Sequence, residues 1–341
     1  MTDLPTFIAG MPKVELHVHH VGSASPRIVA ELAARTDGAS PVPAEPEALA
    51  EYFAFRNFAH FIEVYLSVVD LITEPEDVCL LTYEVARDLA RQQVRYAEVT
   101  VTPYTLTANG IPAAAVCEAI EDARIAAEHD LGIVLRWCFD IPGEFGVPAA
   151  DETLTIALEQ RPDGLVSFGL GGPEDGVPRP QFAPHFDAAR AAGLRSVPHA
   201  GETTGPGTVW DALQHLGAER IGHGIAAVHD PDLVAHLVEH GIPLEVCPTS
   251  NVRTGAVASL DEHPLRHLVA AGVTVSINSD DPPRFGTTLN DEYAVAAGLL
   301  DLDAAGVADL AIAAVDASFM SPHDKARLRT EIAGHLADHR Y

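Results

Sequence analysis

The stretch LRSVPHAGETTGPGTVWDALQHLGAERIGHGI, residues 194 to 225, decides the fold. A short β-rich run, LRSVPHA, passes through a Gly/Pro/Thr turn into TVWDALQHLG, whose apolar residues recur at helical spacing. That helix ends on a glycine, the residue best able to leave a helix in the left-handed conformation, and a second β-rich run, RIGHGI, follows. A strand, a helix and another strand in so short a span is the unit of a parallel sheet with a helical crossover.

The same unit recurs in both directions. Downstream, PDLVAHLVEHG leads to PLEVCPT (243 to 249) and LRHLVAAG to VTVSINS (273 to 279). Upstream, the β-rich runs are VELHVH (14 to 19), VRYAEVTV (94 to 101), GIVLRWCFD (132 to 140) and GLVSFGL (164 to 170), with helical patterns between most of them. Eight strands alternating with helices predict an α/β fold of the (β/α)8 TIM-barrel type. Residues 22 to 93 are too long for one crossover. They hold PRIVAELAARTDG and FAFRNFAHFIEVYLSVVDLI, read as extra helices inserted after the first strand. The aromatics of the second either cover the barrel mouth or pack into the core. No repeat or low-complexity linker interrupts the pattern, so residues 1–341 are expected to form a single barrel domain.

Composition removes several classes of function. The chain carries 49 acidic against 21 basic residues, a formal charge of −28, which repels the phosphates of polymeric nucleic acid. No apolar run approaches the ~18 residues of a membrane span. The opening MTDLPTFIAGMPK has no basic region followed by an apolar stretch, and the expected location is the cytoplasm. Cys79, Cys117, Cys138 and Cys247 are scattered and form no CxxC pair, against both a cysteine zinc knuckle and a disulfide framework.

The chemistry lies at the strand ends. In HVH, His17 and His19 stand two residues apart and share one face of a strand, while His20 turns to the other. Two histidines so placed are weak evidence alone. PHAGE, however, ends the fifth strand with His199 and Glu202, GHG the sixth with His223, and SDDP the eighth with Asp280 and Asp281. These are carboxyl ends of strands, the face on which barrel enzymes build their active sites. Such a cluster, buried without a metal, would bear a heavy desolvation cost. Three histidines and an aspartate suit one Zn2+ ion with an open position, which lowers the pKa of water towards ~7 and marks a hydrolase. Glu202 and Asp281 then remain for proton transfer and substrate recognition.

These motifs, from PKVELHVH through YAEVTVTP, HAGE, GHG and CPTSN to SDDP, resemble the adenosine deaminase family of the amidohydrolase superfamily over nearly the whole chain. The resemblance implies one zinc per chain on His17, His19, His199 and Asp280, and hydrolytic removal of the 6-amino group of a purine nucleoside. It further implies that Glu202 protonates purine N1, that His223 orients the attacking water, and that Asp280 accepts its proton. Asp281 would hydrogen-bond N7 and the Gly172 N–H would contact N3.

Two departures bear on the substrate. Where the family has HLHLDG, with the aspartate on the ribose 5′-hydroxyl, this chain has HVHHVG and Val21. A valine cannot accept that hydrogen bond, so adenosine is expected to be a mediocre substrate. The HxHHVGS variant resembles the branch that deaminates 6-amino-6-deoxyfutalosine in menaquinone biosynthesis, whose 5′ side carries a carboxybenzoyl group. Arg27, Arg56 and Arg253 are candidates for its carboxylate. Phe55, Phe58 and Phe61 are candidates for a hydrophobic lid contacting the 5′ group. The second departure is Gly169 with Pro173 in SFGLGGPE, where relatives carry acidic residues. Adenosine, adenine or another modified adenosine remain alternative substrates. Other metal hydrolases of the superfamily often use a carboxylated lysine, but Lys13 and Lys325 are the only lysines and neither lies at a central strand end. A catalytically inert binding barrel would be expected to have lost part of the polar set.

Overall fold

A computed structural model describes residues 3–35, 40–55 and 58–339, and of residues 46, 50, 58 and 59 the backbone alone. All eight expected strands are present: β1 (Lys13–His19), β2 (Val94–Val101), β3 (Val134–Pro142), β4 (Leu165–Gly171), β5 (Arg195–Ala200), β6 (Ile221–His223), β7 (Leu244–Val246) and β8 (Val275–Ile277). They pair in parallel in sequence order. Closure comes just past β8, where Val18 bridges Asp280. There the His19 N–H donates to the Asp280 carbonyl and the Asp280 N–H to the His17 carbonyl, each at 3.0 Å. The bonds that shut the barrel therefore belong to three residues of the polar cluster.

The strands are buried almost throughout, as parallel strands under helices must be. Helices Ala113–Leu131 and Pro231–His240 end on Gly132 and Gly241 with φ of 69° and 62°, so the glycine stops read from the sequence mark real boundaries. The long segment after β1 folds as helices Pro26–Arg35, Pro46–Tyr52, Phe58–Val69 and Pro75–Arg91. Phe61, Ile62, Tyr65 and Leu66 of the third line the cavity at the mouth, while Val64 and Val68 are buried in the core. The described aromatics Phe61 and Tyr65 thus lie at the mouth, and the core face of the same helix is made by valines. Among the described residues no helix is long and apolar enough to cross a membrane.

Candidate active site

At the carboxyl end of the barrel a cavity of about 750 Å³, its mouth included, is lined by His19, His199, Glu202, His223, Asp280 and Asp281. His17 lies just beneath, 2% exposed, with Nε2 3.7 Å from Asp280 Oδ1. His19 Nε2 is 3.3 Å from the same oxygen and 3.2 Å from His199 Nε2. His223 Nε2 stands 3.8 Å from Asp280 Oδ2 and 3.6 Å from Glu202 Oε2. Side chains from β1, β5, β6 and the turn after β8 thus converge on one point.

The far side of each ring explains its aim. His17 Nδ1 is held by Glu245 at 3.0 Å and His199 Nδ1 by the Leu170 carbonyl at 2.9 Å, which leaves both Nε2 atoms facing the cluster. His223 Nδ1 accepts from Asn251 at 3.1 Å, and Asn251 is braced in turn by His263. His223 and Asp280 both have left-handed backbones, φ 60° and 64°. Non-glycine residues hold that conformation only where their surroundings impose it, and such positions cluster at functional sites.

The donor set fits a divalent metal. His17 Nε2 is buried with no hydrogen-bond partner among the described residues, and His17, His199 and His223 offer nitrogens within 4.8 Å of one another, as do His19, Asp280 and Asp281 their ligand atoms. Imidazole nitrogens and a carboxylate suit zinc. Burial opposes charge on His17, His199 and His223. For His17 the Asp280 and Glu245 carboxylates outweigh it and lift the pKa to about 10, whereas burial and the neighbouring His17 lower His223 to about 3. Asp280 is held well below the usual carboxylate range, its burial overcome by the surrounding histidines.

Glu202 has the opposite electrostatics. Burial, Asp280 and Glu174 raise its pKa to about 8, so it carries a proton at neutral pH. Thr254 donates to Glu202 Oε1 at 3.0 Å, and Glu174 accepts the Glu202 backbone N–H at 3.1 Å, fixing the loop that presents it. Asp281 is buried with Oδ1 unpartnered among the described residues. Gly172 lines the cavity with φ 78°, and a Cβ there would meet Glu144 Oε2 at 2.2 Å.

Gly22 is equally constrained: a Cβ on it would meet Asp281 Oδ1 at 1.3 Å. Replacing Gly22 by alanine must displace the Asp281 carboxylate from the cavity wall. The expected outcome is a fall in kcat/KM of about 100-fold, on the scale of a 1 Å misplacement, with bound metal unchanged. Steady-state kinetics beside metal analysis checks it; unchanged kinetics would remove Asp281 from the site's working parts.

Not every expected residue lies in the cavity. Val21 is buried in the core, 4% exposed, and is not among the lining residues. His20 also points away, its Nε2 bonded to Thr82 at 2.8 Å and its pKa lowered to about 4 by burial. Arg27 is committed to Glu84 at 2.5 Å, with Asp88 at 3.4 Å, and the exposed Arg253 lies 5.4 Å over the Phe55 ring. Arg56 and the Phe58 side chain lie outside the described residues. Phe61 lines the cavity, with Phe55 against it at 5.2 Å. The sequence reading missed Asp140, Glu144, Thr102 and Tyr65, which all line the cavity. Asp140 sits near the carboxyl end of β3, the signal that singled out the other residues, and accepts from Thr102 at 2.6 Å.

A parallel eight-stranded barrel with a histidine and aspartate cluster at its carboxyl end defines a metal-dependent hydrolase of the TIM-barrel type. Residues 12–335 match the family model described as adenosine deaminase, and the chain belongs to that family. It is 68% identical to the aminodeoxyfutalosine deaminase of Streptomyces avermitilis over 98% of this chain and 94% of that one. The adenine deaminase of Cupriavidus necator is 37% identical over 94% and 91%. Among solved structures, an adenine deaminase from Arthrobacter aurescens superposes with a TM-score of 0.91 at 31% identity, covering 96% of this chain and 100% of that one. An amidohydrolase from Burkholderia ambifaria with bound Zn gives 0.89 at 26%, covering 99% and 95%.

Proposed function

We propose that this chain is a cytoplasmic enzyme that hydrolyses the 6-amino group of 6-amino-6-deoxyfutalosine, a small-molecule nucleoside of menaquinone biosynthesis, to the 6-oxo product and ammonia. The 68% identity to the Streptomyces avermitilis enzyme, extending over 98% of the chain, carries this reading. A second enzyme of that name, from Streptomyces coelicolor, is 67% identical over the same share.

His17, His19, His199 and Asp280 would hold one zinc ion. When bound, it would act as a Lewis acid that makes water nucleophilic at neutral pH. The protein's own part is orientation and proton transfer. Glu202, protonated at neutral pH, donates to purine N1, which makes C6 electrophilic and neutralises charge gathering on the ring. His223 and Asp280 position the attacking water between them, and Asp280 takes up its proton. Asp281 and the Gly172 N–H hold N7 and N3 so that C6 faces the cluster. The aromatic wall of Phe61, Tyr65 and Phe285 excludes bulk water.

The test compares kcat/KM for 6-amino-6-deoxyfutalosine, adenosine and adenine on metal-loaded protein. A preference of ~100-fold for the first, about 2.7 kcal/mol in transition-state binding, is expected. Equal or better use of adenosine or adenine would overturn the substrate assignment and leave the family chemistry in place.

A further inference from the structure

Arg284 stands four residues beyond Asp280, in the helical turn Pro282–Phe285, and is 2% exposed. Its Nη1 donates to the Val21 carbonyl at 3.0 Å and to the Gly22 carbonyl, tying the loop after β1 to the loop after β8. The guanidinium lies 5.4 Å from the Phe53 ring and 5.3 Å from the Tyr65 ring. Its Nε and Nη2 have no hydrogen-bond partner among the described residues, and Asp281, the carboxylate whose charge acts on it, forms no close ion pair with it. By contrast Arg220, a buried arginine of the barrel wall, has two carboxylates.

A staple between two loops needs only one of the three guanidinium nitrogens. Leaving the other two buried without a hydrogen-bond partner is costly. Arg284 is not itself among the residues that line the cavity, but Tyr65, against the guanidinium, and Phe285, next in sequence, both are, so these two side chains separate its free donors from the site. A planar guanidinium with two adjacent free nitrogens matches the paired oxygens of a carboxylate or phosphate. We infer that Arg284 receives an anionic group carried at the 5′ end of the nucleoside substrate, an inference that rests on the 6-aminopurine nucleoside reading above. Arg284 is thus a specificity residue.

The test uses four substrates: a nucleoside with an aryl carboxylate at its 5′ end, the methyl ester of that acid, adenosine 5′-monophosphate, and adenosine. Wild-type protein is expected to favour the acid over its ester, or the phosphate over adenosine, roughly ten- to hundredfold in kcat/KM. The pair that shows the preference identifies the anion as carboxylate or phosphate. In Arg284→Met that ratio should fall to about one, the charged member of the pair losing roughly ten- to hundredfold more than the neutral one whatever loss the missing staple costs both. A parallel loss for charged and neutral substrates, the signature of a loop staple whose free donors are met by water, overturns the inference. Should Arg284→Met not fold, wild-type protein decides alone: an acid-to-ester ratio and a phosphate-to-adenosine ratio near one exclude the assignment. Failure to deaminate any of the four would instead defeat the 6-aminopurine nucleoside reading, and this inference with it.

Discussion

Glu202→Gln is expected to lower kcat by about 10³-fold while metal content and thermal stability stay at wild-type values. The glutamine keeps the size of the side chain and can still accept from Thr254, but it has no acidic proton for N1. Cavity shape and cluster geometry therefore survive, and the loss appears in kcat rather than KM. The pH profile gives a second check. Burial, Asp280 and Glu174 raise the pKa of Glu202 to about 8, so the active, protonated form is present below that value and is lost as pH rises through it. Wild-type kcat/KM should fall on an alkaline limb near pH 8, and residual Glu202→Gln activity should lack that limb. A variant that keeps both the limb and a large share of kcat would show that the proton comes from elsewhere.

The parts of this site that the sequence disclosed share one property: their position follows from local pattern. His17, His19, His199 and His223 are marked by the end of a β-rich run, and a barrel brings all such ends to one face. All eight strands fell where expected for the same reason, because β-rich runs and glycine-stopped helices are local signals. Arg284 had no such mark. Nothing in DPPRFG marks it as buried, and Phe53 and Tyr65 reach it from an insertion more than two hundred positions earlier. Val21 shows the converse. Alignment with a family motif fixes its register, but where its side chain settles depends on packing that the motif does not encode.

The charges inside the strands were equally hidden. VRYAEVTV, RIGHGI and PLEVCPT carry Glu98, Arg220 and Glu245 inside largely apolar runs, and no local pattern says that these charges pair with one another. In the fold Glu98, Arg220 and Glu245 meet inside the barrel wall, each about 1% exposed. Arg220 donates through Nη2 to Glu98 and through Nε to Glu245 at 2.6 Å. The Phe319 ring lies 3.9 Å from its guanidinium. Glu245 spends its other oxygen on His17. The chain of contacts therefore runs from an arginine remote from the cavity to a proposed metal ligand, through strands far apart in sequence.

Arg220→Met should expose that dependence more severely than any substitution on the helical surface. Methionine fills most of the volume but leaves Glu98 and Glu245 buried without their cation. Breaking a buried ion pair from one side costs about 3–5 kcal/mol, which in a chain of this size lowers Tm by roughly 4–7 °C. Burial alone pushes the Glu245 carboxyl upward, and it is the Arg220 charge, with His17, that holds it below its ordinary value. Without Arg220, Glu245 should take up a proton more readily, weaken its grip on His17 Nδ1, and reduce metal affinity by about 10- to 100-fold. Thermal unfolding and metal titration of Arg220→Met, of Glu98→Gln and of the double variant separate these effects. Removing the Glu98 charge should restore part of the lost stability, because one stranded carboxylate is gone. It should not restore metal affinity, because only Glu245 touches the histidine. Full stability in Arg220→Met would sink the ion-pair argument, and unchanged metal affinity would confine Arg220 to a structural role in the barrel wall.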